Sequence, residues 1–529
     1  MSSPDDLETA VYDVAIVGYG PVGATAANLL GQMGLRVAVI ERDPDIYFRA
    51  RAISTDEEVL RIWQQVGLAD RLNADMQPGA GANFVDPDGV PIIKLLPADR
   101  GNGHPPQQFI YQPAVDKVLR DGVDRFGNVS ILLEHECLRL IQHPENVELM
   151  LADLTKDEFV RIRARFVIAA DGGSSAIRGQ LGIGFSGRTF SERWIVIDTK
   201  VIREWPGHDK LRFHCNPARP AVDCPTPLGH HRWEFPMRDE EDEAALLTEE
   251  AIWKVLGGQG ITQDDVRIIG FACYSHHVRF ADRWRVGRVF LAGDAAHAMP
   301  PWIGQGMCAG VRDVANLCWK LQAVLSGALP ESILDSYQAE RLPHVKEVTN
   351  RAVKVGKVIV DRHPLRATVR RHVFRTANKL PGFSTWLRNH RWLPPAHYSA
   401  GLLARNGNPA VGWLIPQPWV IDDSRDRVRF DNVVGGTWTV LHTGPDVAAP
   451  QWRSAGVPVI HIAAPGSAPG PDRIVDCDGA LTHWLQSKKT SVVALRPDGF
   501  VYAGGTSDQP LPPPPAGFTA AAHRVKDHA

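Results

Sequence analysis

Cysteine is scarce in this chain. Only Cys137, Cys215, Cys224, Cys273, Cys308, Cys318 and Cys477 occur among 529 residues, and no two stand at CxxC spacing. An odd, scattered set provides neither a disulfide framework nor a zinc site, and it fits a reducing cytoplasm. Net charge is nearly absent as well. Lys and Arg number 58 against 60 Asp and Glu, a formal charge of −2, so nothing draws the molecule as a whole to nucleic acid or an anionic membrane. No apolar run approaches the ~20 residues of a membrane span. The acidic stretch Met1 to Glu8 lacks the basic region of a secretory signal. GxSxG, HExxH and P-loop lysine motifs are missing too, which removes the corresponding hydrolase and phosphoryl-transfer templates. The expectation is a soluble, cytoplasmic protein whose partner is a small molecule, with no metal.

What is present is a globular composition, 44% hydrophobic and 22% charged, in a length that suits two or three domains. From Tyr12 to Asp43 the pattern reads strand, glycine turn, helix, strand. Phe166 to Ala170 and Arg288 to Ala292 are short apolar runs of the kind buried in parallel sheets. Residues 186 to 285 alternate as strands do, with helical signals near 247 to 257, and read as an inserted sheet domain. Helical spacing follows at 313–325 and 332–350, and again around Arg366, Arg370, Arg371 and Arg375, where a solvated basic face is expected. Pro394-Pro395 marks a boundary. Beyond it, strand-like runs at 438–441, 457–462, 491–495 and 500–502 form a third unit before the Pro512 to Pro515 break.

The strongest motif is Gly18-Tyr19-Gly20-Pro21-Val22-Gly23, set between an apolar strand and a helix. Glycines there allow a tight turn and close approach of a pyrophosphate to backbone N–H groups at a helix start. Glu41, 18 residues after Gly23, ends the next strand, where a carboxylate can accept from a ribose hydroxyl. A second GxGxxG at 182–187 lacks this context and reads as a turn. Further on, Ala170-Asp171-Gly172-Gly173 and the run from Gly293-Asp294 to Met307 each follow a strand and open into a helix. An Asp at a strand end can hold a ribityl hydroxyl. Gly304, Gln305 and Gly306 can offer backbone N–H groups to an isoalloxazine ring.

Together and in this order, these stretches resemble the single-component FAD-dependent aromatic hydroxylases, the family of para-hydroxybenzoate and phenol hydroxylases. Asn28 to Gly34, Phe109 to Asp116 and Gly304 to Met307 are similar to its hydroxyphenylpropionate hydroxylase subgroup. The resemblance implies an α/β fold: a Rossmann-like FAD-binding domain (1–75, 105–185 and 286–395), an inserted β-sheet substrate domain (76–104 and 186–285) and a C-terminal thioredoxin-like domain (396–529) without redox chemistry. It places Asp171 in the motif for FAD and NAD(P)H binding and Asp294 in contact with the flavin ribose. Arg42, Arg51, Gln112, Gly293, Pro301 and Met307 join the cofactor set. Cys308-Ala309 departs from the family, which commonly has Asn and a small hydroxylated residue there.

The activity implied is hydroxylation of a phenolic substrate, such as a hydroxyphenylpropionate-like acid, by NAD(P)H and O2 through oxygen carried at flavin C4a. The flavin bears the chemistry, and no side chain is required as a nucleophile. His214, Arg219, Arg232 and Tyr274 are the substrate-pocket candidates, and a homodimer is compatible with the reading. Tailoring hydroxylation or epoxidation of a polycyclic natural product, or a flavoprotein that only reduces or sequesters its ligand, remain the alternatives.

Overall fold

The computed structural model describes residues 11–47, 51–79, 81–87, 89–359, 393–444, 449–506 and 509–519, with isolated positions between 363 and 380. Arg366, Arg370, Arg371 and Arg375 lie outside the described residues. The run Val37–Ile40, Val-Ala-Val-Ile, is buried at every position, which requires cover on both faces and suits the interior of a parallel sheet. The strands Val289–Leu291, Glu158–Ala169, Val11–Val17, Val37–Ile40 and Val129–Leu132 lie side by side in that order, all parallel, with Val14 beside both Phe166 and Val37. Helix Pro21–Gln32 crosses between the first two strands of the chain, and helix Gly306–Leu325 packs against it. A meander of His135–Gln142 and Val147–Asp153 joins the first half of Glu158–Ala169 antiparallel. That meander carries no motif.

A second eight-stranded sheet is built mainly from Phe185–Val201, Leu211–His214, Ala221–Thr226, His230–Pro236 and Val266–Ala281, with Ala82–Val85 and Pro91–Leu95 added at one edge. One face carries Phe84, Trp194, Phe213 and Val222 and packs on Phe109, Trp302 and Val353. The other carries Ile195, Ile197, Trp233 and Phe235 beneath Ile252 and Leu256 of helix Glu249–Gly257. Because both faces are covered, His230–Pro236 is buried almost throughout. This sheet roofs the carboxyl ends of the parallel strands, where ligands of open α/β sheets bind.

The C-terminal part is a seven-stranded mixed sheet, thioredoxin-like as the resemblance implies, with Thr439–His442, Val459–Ala463 and Arg473–Asp476 parallel and its remaining pairs antiparallel. It is tied to the rest by buried ion pairs. Arg61 donates to Asp431 from one guanidinium edge, Nε to Oδ2 at 2.6 Å and Nη2 to Oδ1 at 2.7 Å, and Arg496 meets Glu340 at 2.8 Å. Among the described residues, no helix is long and apolar enough to cross a membrane.

Candidate active site

At the end of strand Val11–Val17 the chain turns through Gly18, at φ +100°, and helix Pro21–Gln32 starts at once. Its N-cap, Gly20, makes no side-chain cap, and the first turn holds no acid. Among the described residues, no side chain caps the N–H groups there. A Cβ at Gly23 would lie 1.9 Å from the carbonyl oxygen of Gly18, whereas one at Gly20 would meet nothing within 4 Å. Gly23 is required by the chain's own backbone. Gly20 instead borders open space at a positive helix end, the form of an anion cradle. Pro21 and Val22 line that space. Glu41 accepts from the N–H groups of Tyr19 (2.7 Å) and Asp43 (3.1 Å), which fixes its carboxylate beside the turn. Arg42 is exposed next to Asp43 and is not part of the cavity wall.

A cavity of about 360 Å³ runs from this helix start to the underside of the second sheet. Gly20, Arg51, Gln112, Gly172 and Asp294 line its polar end. Asp294 projects from the short turn Gly293–Ala295. It is open to the cavity yet enclosed by protein elsewhere, and it accepts no hydrogen bond from a described residue. Burial holds its carboxyl above the usual range, while His297 and Arg51 pull it back. Below it the turn is locked: Asp313 accepts from Gly293 N (3.1 Å) and Arg341 Nε (2.9 Å) and pairs with His297 Nε2 at 2.7 Å. Gln112 Oε1 accepts from the backbone N–H groups of Arg51 and Ala52 at 2.8 and 2.7 Å, so it shapes the backbone there. One oxygen of Asp171 accepts from Ile177 N at 3.2 Å, and the other is buried with no hydrogen-bond partner among the described residues. An uncapped helix start and an unpartnered carboxylate, Asp294, on the polar part of one cavity fit the phosphates and hydroxyls of FAD.

The run 301–307 forms the floor. Gly304 sits at φ +64°, and a Cβ there would lie 2.3 Å from Ser54 Oγ, so any side chain would strain the loop itself. Gly306 is open, with only Met299 Cγ near, at 3.9 Å. Pro301 and Met307 belong to the wall. The amide of Gln305 turns away into the protein, donating to Asp56 Oδ2 and accepting from Arg312, each at 3.1 Å. Cys308 lies beneath the loop, 3.9 Å from Thr55 Oγ1, its thiol pushed up to about 12 by burial. The departure at Cys308 therefore falls under the floor, outside the cavity wall.

The far end is apolar, with Ile53, Leu95, Leu211, Phe213, Val222 and Trp302, and it contains two charged side chains, Arg100 and Glu234. Arg100 donates to the carbonyls of Pro394 and Leu393 at 2.9 Å each and keeps further N–H groups. Glu234 is 9% exposed and accepts no hydrogen bond from a described residue. Burial raises its carboxyl, with Arg232 opposing and Asp198 adding to the rise.

The four residues expected at the substrate are not in this wall. His214 Nε2 lies 2.5 Å from Asp223 and Arg219 pairs with Glu241 at 2.5 Å. Arg232 forks onto Asp198 at 2.8 and 2.9 Å and donates to the carbonyl of Arg51. Tyr274 is exposed on strand Val266–Ala281.

Comparison with known proteins agrees with this geometry. Residues 11–352 match the family model described as an FAD binding domain, and residues 412–513 match that of the HcaD C-terminal domain. The chain is 34% identical over 518 residues to the 3-(3-hydroxy-phenyl)propionate/3-hydroxycinnamic acid hydroxylase of Escherichia coli K12, covering 94% of this chain and 93% of the relative. Among solved structures, the flavin-dependent monooxygenase PieE in complex with FAD and substrate superposes with a TM-score of 0.80 at 23% identity, over 93% and 96% of the two chains. The p-nitrophenol 4-monooxygenase PnpA of Pseudomonas putida DLL-E4 gives 0.65 at 25% identity, over 72% and 99%.

Proposed function

The chain belongs to the FAD-binding-domain family of flavin-dependent aromatic hydroxylases, and from that premise we propose that its substrate is a phenol bearing a short carboxylated side chain. The observation that carries this reading is one cavity whose wall joins the polar groups suited to FAD to an apolar set, Ile53, Leu95, Phe213, Val222 and Trp302, with Arg100 and Glu234 also in the wall. Gly18 to Gly23 and Glu41 would hold the adenosine diphosphate half of FAD. Asp294 would hold hydroxyls of its flavin half, and the backbone of 304–306 would face the ring. When bound, the flavin supplies the oxygen-transfer chemistry.

The chain's own residues do the rest. Ile53, Leu95, Phe213, Val222 and Trp302 exclude water and seat the aromatic ring. Arg100 is the cation at that end of the wall, and its spare N–H groups suit a carboxylate. NAD(P)H and O2 are the co-substrates. NAD(P)H docks transiently, since only one dinucleotide fingerprint has its strand and helix. The same reading divides the chain into the FAD, substrate and C-terminal domains at the boundaries given above and places it in the cytoplasm.

The test is NAD(P)H oxidation and product formation across paired phenols with and without the acid group. The acids should stimulate oxidation, and Arg100→Met should raise KM for an acid about tenfold or more while sparing its neutral counterpart. If no phenol stimulates NAD(P)H oxidation, the reading is wrong.

A further inference from the structure

Glu234 is anomalous on the apolar side of the cavity. It stands in register with Val222 on one neighbouring strand and Val196 on the other, all three on the face turned to the cavity. The nearby cation does not neutralise it directly, because the ion pair of Arg232 goes to Asp198. A carboxylate nine-tenths buried without a hydrogen bond is costly. A donor entering the cavity removes that cost.

Resting on the phenol-hydroxylase reading, we propose that Glu234 is the general base of the reaction, accepting the hydrogen bond of the substrate's ring hydroxyl and taking its proton as the ring is oxygenated. The O–H bond breaks, its electron pair moves through the phenolic oxygen into the ring, and the proton lands on a Glu234 oxygen. The ring carbon gains one atom of O2, the other leaves as water, and NAD(P)H supplies the two electrons. The hydrogen on that ring carbon then departs as a proton, and Glu234 returns its own proton to the ring oxygen as aromaticity is restored. Net, the carboxylate is unchanged. A carboxyl held high by its surroundings is a better base for this step, because the gap to a phenol narrows. The titratable groups around it are Arg232, Asp198 and Cys224, whose thiol burial keeps protonated.

Two measurements on the FAD-loaded protein test this. The first is binding of 3-(3-hydroxyphenyl)propionate and its O-methyl ether to the oxidised enzyme, read from the flavin spectrum. The wild type should prefer the phenol about tenfold or more, and Glu234→Leu, which offers no acceptor, should bind the two within about twofold. The second is single-turnover product formation against pH. Glu234→Gln should be slowed about 10²-fold at pH 7, with the deficit closing as pH nears the phenol's own ionisation, about 10. A packing role would slow the variant equally at every pH. Glu234→Asp should restore part of both effects, and it carries the same measurements if Glu234→Gln fails to retain FAD. A retained phenol preference, or a deficit that ignores pH, overturns the base. A wild type that hydroxylates no phenol overturns the functional reading beneath it.

Discussion

Replacing Asp294 by Ala should have two effects of opposite sign. In the cofactor-free protein this carboxylate opens onto the cavity with protein on its other sides, has Asp313 below it and accepts no hydrogen bond from a described residue. Its folded-state pKa is raised, chiefly by burial, so the folded protein binds that proton more tightly than the unfolded chain. The ionised group then weighs against the fold increasingly as pH rises through the folded value. The apoprotein of Asp294→Ala should therefore melt higher than wild type, and the difference should widen from acid to neutral pH. With FAD the sign reverses. A hydrogen bond to a charged acceptor contributes about 1.5–3 kcal/mol, so the Kd for FAD should rise about 10- to 100-fold at about 1.4 kcal/mol per decade. Flavin fluorescence titration of the apoprotein gives the affinity, and thermal melting across pH gives the other arm. FAD affinity within about twofold of wild type would refute the assignment of Asp294 to the cofactor.

Three further outcomes follow from the same geometry. Gly20→Ala should leave the melting temperature of the apoprotein near wild type but weaken FAD retention, whereas Gly23→Ala should lower the melting temperature itself, because only the second Cβ meets backbone. Arg61→Met strands the buried Asp431 carboxylate and should cost about 3–5 kcal/mol in urea unfolding, most of it recovered in the Arg61→Met/Asp431→Leu pair. His276, packed by Trp194 and Trp302 and pulled down to about 4 chiefly by burial, stays neutral in the fold while its unfolded counterpart titrates near 6.5. Its contribution is full above that value and is lost as pH falls toward 4, by about 3 kcal/mol, so His276→Phe should flatten acid unfolding in that window.

The parts of the site that were legible in the sequence are those whose chemistry is local. Gly18, Gly20 and Gly23 sit within six residues of one another and face one turn, and the Gly293-Asp294 turn lies at the end of a single strand, so spacing alone brings these groups to one point. The substrate wall is different. Arg232 and Glu234 stand two apart on one strand and share a face, and which of them meets the cavity depends on Asp198, a residue 34 positions before Arg232 that captures the guanidinium. His214 and Arg219 are likewise claimed by Asp223 and Glu241. Arg100 belongs to no periodic segment, and it reaches the wall because carbonyls near 394 hold it. In Gln305, sequence position beside the flavin loop suggested a contact, but ion pairing of Asp56 with Arg312 draws the amide inward. The central strands were legible because every residue of Val37–Ile40 is apolar. The meander at 135–153 mixes apolar and polar residues without strict alternation, as in Val147-Glu148-Leu149-Met150, and part of it faces water, so it gave no comparable signal.

The most direct test of the whole account is turnover under 18O2 with a carboxylated phenol and NAD(P)H. One labelled oxygen atom should enter the aromatic ring per NAD(P)H oxidised, with little hydrogen peroxide and only slow NAD(P)H oxidation when the phenol is left out. Oxidation of NAD(P)H that yields an unlabelled product, or peroxide alone with every phenol tried, would contradict it.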